Sequence, residues 1–387
     1  MDFPLFWAEV DLEAISHNVR KLRRITDPGA YLMAVVKANA YGHGVIEVTR
    51  KVLENGADSL GVARIEEGIE LRKAGVKESV LIFGYTSPEL AHKLIGFDLT
   101  QTVWSYTTAR ALSDIAVSSN KIKVHLKVDT GMGRLGLLPD CRRPPVTEQN
   151  LIGNAIREVE SISSLSGIEL EGVYTHFATA DSSDKTYAGK QFEIFVDFLN
   201  ELRRAGMNPP LCHAANSAAI IDMPETHLDM VRAGIAIYGL YPSDEVNKRR
   251  IVLKPAMTLK SKIVHLKKVP PGFKVSYGST YKTPKPTTIA SIPVGYADGF
   301  NRLLSSRGHM LVRGRRAPIV GRVCMDQTML DVGHIPDVNL EDEVVIFGRQ
   351  KDESITVDEI AASLNTINYE IVSALTARVP IIYPKFS

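Results

Sequence analysis

The segment from Met33 to Gly44, MAVVKANAYGHG, decides how the rest of the sequence is interpreted. An apolar run ends at Lys37, and small residues, Tyr41 and two glycines around His43 follow. The run before the lysine is typical of a buried strand, where an unpaired cation is costly. A lysine at the carboxyl end of such a strand can hold its amine in a cleft, where a lowered pKa makes it a nucleophile or a base. A solvated lysine followed by a glycine turn is the alternative, and this segment alone leaves both open.

The composition is that of a globular protein with a large core. The 387 residues are 44% hydrophobic and 23% charged, and this length suggests two domains of ~100–200 residues each. The net charge of +2 gives no electrostatic reason to expect nucleic acid or a membrane as partner. No apolar run approaches the ~20 residues of a membrane span.

The cysteines and the amino terminus indicate a cytoplasmic protein. Cys141, Cys212 and Cys324 lie far apart, and their spacing fits neither a metal site nor a disulfide framework. The first residues, MDFPLFWAEVDLEA, lack the basic region of a secretory signal peptide. We therefore expect a reducing compartment and no bound metal.

Short apolar runs alternate with amphipathic helical patterns over the first 240 or so residues. Helices are predicted at Ile46–Glu54 and Tyr187–Ala205, each followed by a glycine. The alternation predicts an α/β protein with an N-terminal (β/α)8 TIM barrel, and a doubly wound open sheet is the alternative. No G-x-G-x-x-G follows the first strand, which disfavours a dinucleotide fold. The eight predicted strands are Tyr31–Val36, Ser59–Ala63, Ser79–Gly84, Thr100–Trp104, Lys121–Asp129, Glu171–Phe177, Leu211–Ala215 and Met230–Tyr238.

The pattern changes near residue 245. A charged run to Arg250 resembles a linker, and beyond it apolar residues alternate with period two between glycine and proline turns. We predict a barrel domain over 1–245 and a mostly β domain over 246–387, with the first ten or so residues packing on the second domain. A helix at Val357–Leu364, capped by Thr356 and Glu359, and another at Tyr369–Leu375 close the chain.

Polar residues recur at the carboxyl ends of the predicted strands, where barrels of this kind place their chemistry. Ser217 and the backbone near Gly234 could bind a phosphate in the loops after strands seven and eight. A lysine beside a phosphate pocket fits either an aldolase that forms a Schiff base with a phosphosugar or an enzyme with a permanent pyridoxal phosphate. The residues that converge there are Lys37, Tyr41, Lys127, Asp129, Arg134, Thr175, His176, Asn216, Ser217, Arg232 and Gly234.

A set of motifs in one order resembles the barrel-type alanine racemases, which depend on pyridoxal 5'-phosphate, over essentially the whole chain. In the first domain they are AVVKANAYGHG, HLKVDTGMGRLG, THFATAD, HAANS and MVRAGIAIYG. In the second they are VSYGSTY, VGYADGF and GRVCMDQ. Only the segment Pro139–Asn150 matches nothing useful, and Phe83 lies where the family varies.

The resemblance implies a racemase that interconverts L-alanine and D-alanine by a two-base mechanism and supplies D-alanine for peptidoglycan. It makes Lys37 the lysine that binds the cofactor and the base on one face of the substrate, and Tyr277 the base on the other face. The tyrosine needs activating neighbours because its ordinary pKa is ~10. Arg232 faces the pyridine nitrogen, which favours racemisation over transamination because an arginine does not readily supply a proton.

The resemblance also implies how the cofactor and the substrate are bound. Arg134 and the Met325 amide lie near the substrate carboxylate, and Lys127 occupies a position that is carbamylated in many family members, with an ordinary lysine as the alternative. The family shares its active sites across a homodimer. The remaining cofactor contacts are Tyr41, His176, Asn216, Ser217, Gly234, Ile235 and Tyr369, and the residues implied at the substrate entrance or in support of the site are Asp181, Tyr296, Arg302, Arg322 and Asp326.

Three other functions are alternatives. A serine or broad-specificity racemase shares every motif. A decarboxylase or D-amino-acid aldolase on the same barrel is disfavoured by the tyrosine of VSYGSTY and the arginine of MVRAGIA. A non-catalytic protein that binds pyridoxal phosphate resembles only the barrel, so the second domain argues against it.

Overall fold

The computed structural model describes residues 4–116, 120–139 and 152–384, which form two compact units. The barrel unit comprises Glu13–Ala40 and Val45–Lys254. The second unit contains the described residues of Met1–Leu12, Tyr41–Gly44 and Pro255–Ser387. The predicted domain bounds, 1–245 and 246–387, stay a prediction. Cys141 and nearly all of the uninterpreted segment Pro139–Asn150 lie outside the described residues.

The elements follow one another in this order. The strands are β1 Phe6–Val10, β2 Tyr31–Val35, β3 Ser59–Val62, β4 Val80–Ile82, β5 Thr100–Val103, β6 Ile122–Lys127, β7 Ile168–Tyr174, β8 Leu211–His213, β9 Met230–Ala233, β10 Met257–Lys262, β11 His265–Val269, β12 Lys274–Val275, β13 Tyr281–Lys282, β14 Thr287–Ile292, β15 His309–Val312, β16 Arg315–Pro318, β17 Thr328–Asp331, β18 Glu343–Gln350, β19 Glu353–Ile355 and β20 Ile381–Ile382. The α-helices are α1 Leu12–Ile25, α2 Val45–Glu54, α3 Ile65–Lys73, α4 Ala91–Gly96, α5 Tyr106–Ser113, α6 Ile152–Ser163, α7 Thr186–Arg204, α8 Ser217–Asp222, α9 Val357–Leu364 and α10 Asn368–Ser373. Lys37–Tyr41 forms a helical turn of the opposite hand, described below.

Strands β2 to β9 close into a parallel barrel, which confirms the predicted (β/α)8 fold. The circle closes between β2 and β9, with Met33 paired to Arg232. Strand glycines make room for large side chains inside this unit. A Cβ on Gly172 would lie 2.7 Å from the His125 ring, and one on Gly61 would lie 2.5 Å from the Phe83 ring.

Two predicted strands differ from the structure by three or more residues at one end. The run Met230–Tyr238 is a strand only to Ala233, and Ile235–Tyr238 forms a 3-10 helix after Gly234. All of these residues are buried, and a fully buried apolar run has no periodicity that separates strand from helix. Strand β7 spans Ile168–Tyr174 and begins three residues before the predicted start, because partly exposed acidic residues interrupt its apolar pattern.

The second unit is mostly β, as predicted. Its largest sheet has the order β16-β15-β18-β10-β1-β20, with β19 paired to β18. The amino-terminal strand β1 pairs antiparallel with β10, with Ala8 opposite Leu259. Strands β11, β14 and β17 form a second sheet, and β12 pairs with β13.

The predicted helices are found within a residue or two of their expected bounds. Helix α9 begins where predicted, with the Thr356 hydroxyl accepting the Glu359 N–H at 3.0 Å. Across the described ranges, no helix has both the length and the apolar character needed to cross a lipid bilayer.

Candidate active site

Lys37 follows β2 at the carboxyl end of the barrel, on an unusual backbone. Its side chain is half-buried, and burial lowers the pKa of its amine, with the Arg134 cation lowering it further. The next residues, Ala38, Asn39 and Ala40, have φ values of 54°, 53° and 52°, which makes a left-handed helical turn. This geometry costs an L-residue roughly 1–2 kcal/mol. The turn that presents Lys37 therefore has to be held by contacts outside itself.

Lys127 ends strand β6 in a cationic environment. The residue is 4% exposed, and burial, followed by the charges of Arg134 and Arg232, lowers the pKa of its amine to about 8. Its Nζ lies 5.7 Å from the centre of the Tyr174 ring. A substantial share of Lys127 side chains is therefore neutral just above neutral pH.

Arg232, on β9, is a buried guanidinium held by neutral acceptors. It donates to the Thr175 carbonyl at 2.8 Å, to the Ala214 carbonyl at 2.9 Å and to His213 Nδ1 at 2.7 Å. A longer bond of 3.2 Å reaches His176 Nδ1. Burial lowers the pKa of Arg232 to about 10, so the side chain remains charged at neutral pH.

Two further histidines extend this network. Because a guanidinium can only donate, His213 Nδ1 accepts from Arg232, and His213 Nε2 donates to His125 Nδ1 at 2.8 Å. The Tyr174 ring stacks on His213 with centroids 4.7 Å apart. Burial and then the Arg232 charge lower the pKa of His125 to about 3, and burial also holds the pKa of His176 and His213 well below the usual value. These histidines are therefore neutral and fix the direction of every hydrogen bond around Arg232.

Ser217 and Gly234 form a polar cradle at the ends of β8 and β9. The Ser217 hydroxyl accepts the Gly234 N–H at 2.8 Å and lies 3.5 Å from the Ala236 nitrogen. Asn216 caps helix α8 by accepting the Ala219 N–H at 3.1 Å. Because the hydroxyl accepts from the backbone, its own hydrogen is available to a ligand oxygen. Backbone N–H groups and a hydroxyl of this kind suit a phosphate.

The donor set at this end of the barrel fits pyridoxal 5'-phosphate. Lys37 offers an amine for an aldehyde, the Ser217 cradle offers donors for a phosphate, and Arg232 offers a donor for a ring nitrogen. These residues lie on or directly after the adjoining strands β2, β8 and β9. The cofactor's three distinctive groups therefore each have a matching partner in one unit.

Tyr41 and Tyr369 lie together in the second unit. Their ring centroids are 6.1 Å apart, and Tyr41 is buried, which raises the pKa of its hydroxyl. Gly42 follows with a φ of +82°, and a Cβ there would lie 2.2 Å from the Val372 carbonyl oxygen. Glycine at this position therefore allows the backbone around Tyr41 to approach helix α10.

Tyr277, Met325 and Tyr296 are exposed, with 71%, 54% and 42% of their surface accessible. Their loops are joined by hydrogen bonds. Ser276, beside Tyr277, donates its hydroxyl to the Arg322 carbonyl at 2.6 Å, and the Tyr296 N–H donates to the Cys324 carbonyl at 3.0 Å. The Arg322 guanidinium lies beside Gly278. The second unit thus gathers Tyr277, Tyr296, Arg322 and Met325 on one set of neighbouring loops.

The remaining predicted residues lie in two places. In the second unit, Asp326 accepts a hydrogen bond from Arg378 at 2.8 Å, and Arg302 is exposed on a 3-10 helix. Asp181 belongs to the barrel unit, where its carbonyl accepts from the Ser243 hydroxyl. Ile235 is buried next to Gly234. The predicted site residues are therefore divided between the two units.

Sequence reasoning missed three residues of the Arg232 network. His213 begins the motif HAANS and His125 begins HLKVDTGMGRLG, but no role was predicted for either of them, or for Tyr174 in the strand between. Their position as polar rings near the ends of the largely apolar strands β6, β7 and β8 could have marked them. Polar rings in apolar strands are costly to bury without partners.

Family profiles match both parts of the chain. The profile described as "Alanine racemase, N-terminal domain" matches residues 10–242, and the one described as "Alanine racemase, C-terminal domain" matches residues 256–383.

Curated relatives and solved structures agree with these profiles. The alanine racemase of Desulfosudis oleivorans is 54% identical over 381 residues, which covers 97% of this chain and 96% of the relative. The alanine racemase of Methanococcus maripaludis is 51% identical over 378 residues, covering 97% and 98%. The structure of alanine racemase from Clostridium difficile 630 has a TM-score of 0.91 at 40% identity, covering 99% of this chain and 97% of that one. The Bacillus anthracis alanine racemase with bound L-Ala-P has a TM-score of 0.91 at 37% identity, covering 100% and 96%.

Proposed function

The chain belongs to the alanine racemase family, and from this premise we propose that it interconverts L-alanine and D-alanine with pyridoxal 5'-phosphate as its cofactor. The observation that supports this most directly is the environment of Arg232. A guanidinium that neutral acceptors hold at the same barrel end as Lys37 offers the cofactor ring a donor that does not readily release its proton. That arrangement favours proton exchange at Cα over transamination.

Lys37 is the first catalytic residue of the proposal. Pyridoxal 5'-phosphate, when bound, delocalises the negative charge left on Cα after its proton is removed. The Lys37 amine would hold the cofactor covalently and, when free, would accept or return the Cα proton on one face. Its lowered pKa supports this role, because a base must be neutral to accept a proton.

Tyr277 is the second base, on the opposite face of Cα. Racemisation needs two groups because a single base tends to return the proton to the face it came from. The 71% exposure of Tyr277 supports a site completed by a second copy of the chain, since a phenol needs neighbours to act as a base near neutral pH. We therefore propose a homodimer in which each barrel receives Tyr277, and the Met325 amide, from its partner.

Cofactor contacts come from several elements. The Ser217 hydroxyl and the amides of Gly234 and Ile235 bind the phosphate, together with the hydroxyls of Tyr41 and Tyr369. Asn216 lies beside the cofactor and fixes the start of α8. His176, held neutral next to Arg232, supports the ring environment and Tyr277.

Arg134 binds the substrate carboxylate in this proposal, and Lys127 adjusts its position. A neutral Lys127 amine can take up carbon dioxide as a carbamate, which replaces a cation beside Arg134 by an anion. The pKa of about 8 supports this modification, because it leaves much of the amine neutral.

The entrance for the substrate is proposed at the exposed loops of the second unit. Charged side chains there would attract a zwitterionic amino acid, and an aromatic ring would narrow the passage. The residues assigned to this entrance or its support are Tyr296, Arg302, Arg322 and Asp326 of the second unit, with Asp181 of the barrel unit as a further supporting residue. The biological setting we propose is cytoplasmic supply of D-alanine for peptidoglycan.

The decisive experiment follows the optical activity of L-alanine with purified protein and added cofactor. We expect the rotation to decay to zero with the wild-type protein and to persist with Lys37→Ala. A stable rotation in the presence of bound cofactor would overturn the assignment. The same assay with L-serine and other amino acids separates an alanine racemase from a broad-specificity one.

Mixed dimers test the shared site. Chains carrying Lys37→Ala and chains carrying Tyr277→Phe are each expected to be inactive, and a mixed dimer should regain one intact site. No recovered activity in verified mixed dimers would contradict a site built from two chains.

A further inference from the structure

Glu67 makes contacts that bear directly on Lys37. It lies in the first turn of α3, after strand β3. One carboxylate oxygen, Oε1, accepts the Ala38 N–H at 2.6 Å. The other, Oε2, accepts the N–H groups of Ala63 at 2.7 Å and Arg64 at 3.0 Å. A single carboxylate therefore connects the end of β2 to the end of β3.

The bond to Ala38 reaches the peptide plane that follows Lys37. The Ala38 N–H and the Lys37 carbonyl belong to the same rigid plane, so holding the N–H fixes the backbone dihedral ψ of Lys37. Inside the turn, the Ala40 N–H donates to the Val36 carbonyl at 2.9 Å. The Ala38 N–H begins the left-handed turn, and its acceptor comes from a helix 29 residues later in the chain.

We propose that Glu67 is a positioning residue for Lys37, which fixes the left-handed turn so that the lysine amine points at the cofactor aldehyde. The proposal rests on the function assigned to Lys37 above. Glu67 acts through the Ala38 N–H and touches neither cofactor nor substrate.

The Glu67 carboxylate also affects Lys37 through its charge. Among the charged groups near Lys37, the Arg134 cation lowers the pKa of the lysine and the Glu67 carboxylate raises it. The carboxylate thus offsets part of the repulsion between two cations, in addition to fixing the backbone.

Glu67→Gln tests the contact with little change in shape. Glutamine has a single side-chain oxygen that can accept. Because the two N–H groups of Ala63 and Arg64 both need an acceptor, this oxygen is expected to stay with them and cap α3. Its NH2 group then faces the Ala38 N–H, and the bond to Ala38 is lost. Glu66→Gln is the matched control, since it makes the same chemical change one residue earlier on the same helical turn, at an exposed position.

Two measurements on the holoenzyme are compared. Hydrogen exchange followed by mass spectrometry reads the peptide that contains Ala38, and steady-state racemisation of L-alanine gives kcat and KM. For Glu67→Gln we expect faster exchange at Ala38 and a kcat lower by about 100-fold, the effect of misplacing a reacting group by ~1 Å. KM is expected to stay within about two-fold, because the substrate contacts are untouched. Glu66→Gln should match the wild type in both measurements.

Unchanged exchange at Ala38, or faster exchange with a wild-type kcat, would overturn the proposal. If Glu67→Gln does not fold, Glu67→Asp is measured instead. It keeps the charge but is one methylene shorter, so it is expected to lose the Ala38 bond, and wild-type behaviour of this variant would also refute the role. If the proposed function is wrong, the wild-type protein itself will not racemise alanine. Hydrogen exchange at Ala38 would still report on the bond between Glu67 and the Ala38 N–H.

Discussion

Replacing Lys127 by methionine is expected to stabilise the unmodified, cofactor-free protein at neutral pH. The folded protein buries this ammonium, and burial, followed by the charges of Arg134 and Arg232, lowers its pKa from 10.5 to about 8. At about 1.36 kcal/mol per pH unit, a charged Lys127 costs ~3 kcal/mol of folding free energy at pH 7. Methionine has a similar length and no charge. Loss of the contact with the Tyr174 ring offsets ~0.5–1 kcal/mol of the gain.

The stabilisation gained by Lys127→Met should depend on pH. Because the folded-state pKa of Lys127 is below its unfolded value, the unfolded chain binds more protons between pH 8 and 10.5, and wild-type stability rises with pH in that window. The cost is fully present below pH 8 and falls to roughly 1.5 kcal/mol at pH 9.5. The difference between Lys127→Met and the wild type should therefore shrink by about half from pH 7 to pH 9.5.

Urea denaturation in buffers free of carbon dioxide measures this difference. The control is Lys123→Met on the same strand, where the lysine is partly exposed and lies 3.1 Å from Asp98. It should give no stabilisation at either pH. A second series in bicarbonate tests carbamylation. A carbamate near the charges of Arg134 and Arg232 is favourable, so the wild type should gain stability while Lys127→Met should not respond.

Equal stability of the wild type and Lys127→Met at pH 7, or a difference that does not change with pH, would refute this account of the Lys127 environment. If bicarbonate does not change the stability of the wild type, Lys127 is unmodified and the carbamate has no place in the proposed mechanism.

Three further changes probe the site. Ser217→Ala removes the acceptor of the buried Gly234 N–H, and we expect a loss of ~1–3 kcal/mol in urea denaturation and weaker cofactor retention on dialysis; wild-type values would contradict the cradle. Gly42→Ala places a Cβ 2.2 Å from the Val372 carbonyl at a φ of +82°, and a destabilisation of at least ~1–3 kcal/mol should lower Tm, so an unchanged Tm would speak against the close approach. Arg232→Glu supplies a carboxyl that can exchange a proton with the ring nitrogen, so the ratio of transamination to racemisation should rise. A ratio equal to that of the wild type would refute this role of Arg232.

The fold was largely predictable because its patterns are local. Eight apolar runs separated by amphipathic helices predicted the barrel, and strand β10 and helix α9 show the period-two and helical patterns expected in the second unit. The prediction was wrong where burial removed the periodicity. Residues Ile235–Tyr238 are all buried, so their 3-10 helix could not be distinguished from a continued strand.

The residues of the candidate site were predictable in part. The convergence of Lys37, Lys127, Ser217 and Arg232 at strand ends follows from the barrel, and the family resemblance assigned roles to them. The charges and hydrogen-bond partners around these residues could not be predicted from the sequence. The low pKa of Lys127 depends on cations from other segments, and Arg232 bonds to a carbonyl 57 positions away in the sequence.

The segment Met33–Gly44 shows where sequence and tertiary structure divide the information. The sequence by itself determined a buried strand that ends just before Lys37, because an apolar run and its polar end are local properties. Only the tertiary structure decided that the next residues form a left-handed turn, since alanine and asparagine have no local preference strong enough to require it. Glu67 lies 29 positions away from Ala38, and its carboxylate reaches that amide only because β2 and β3 are neighbours in the closed barrel.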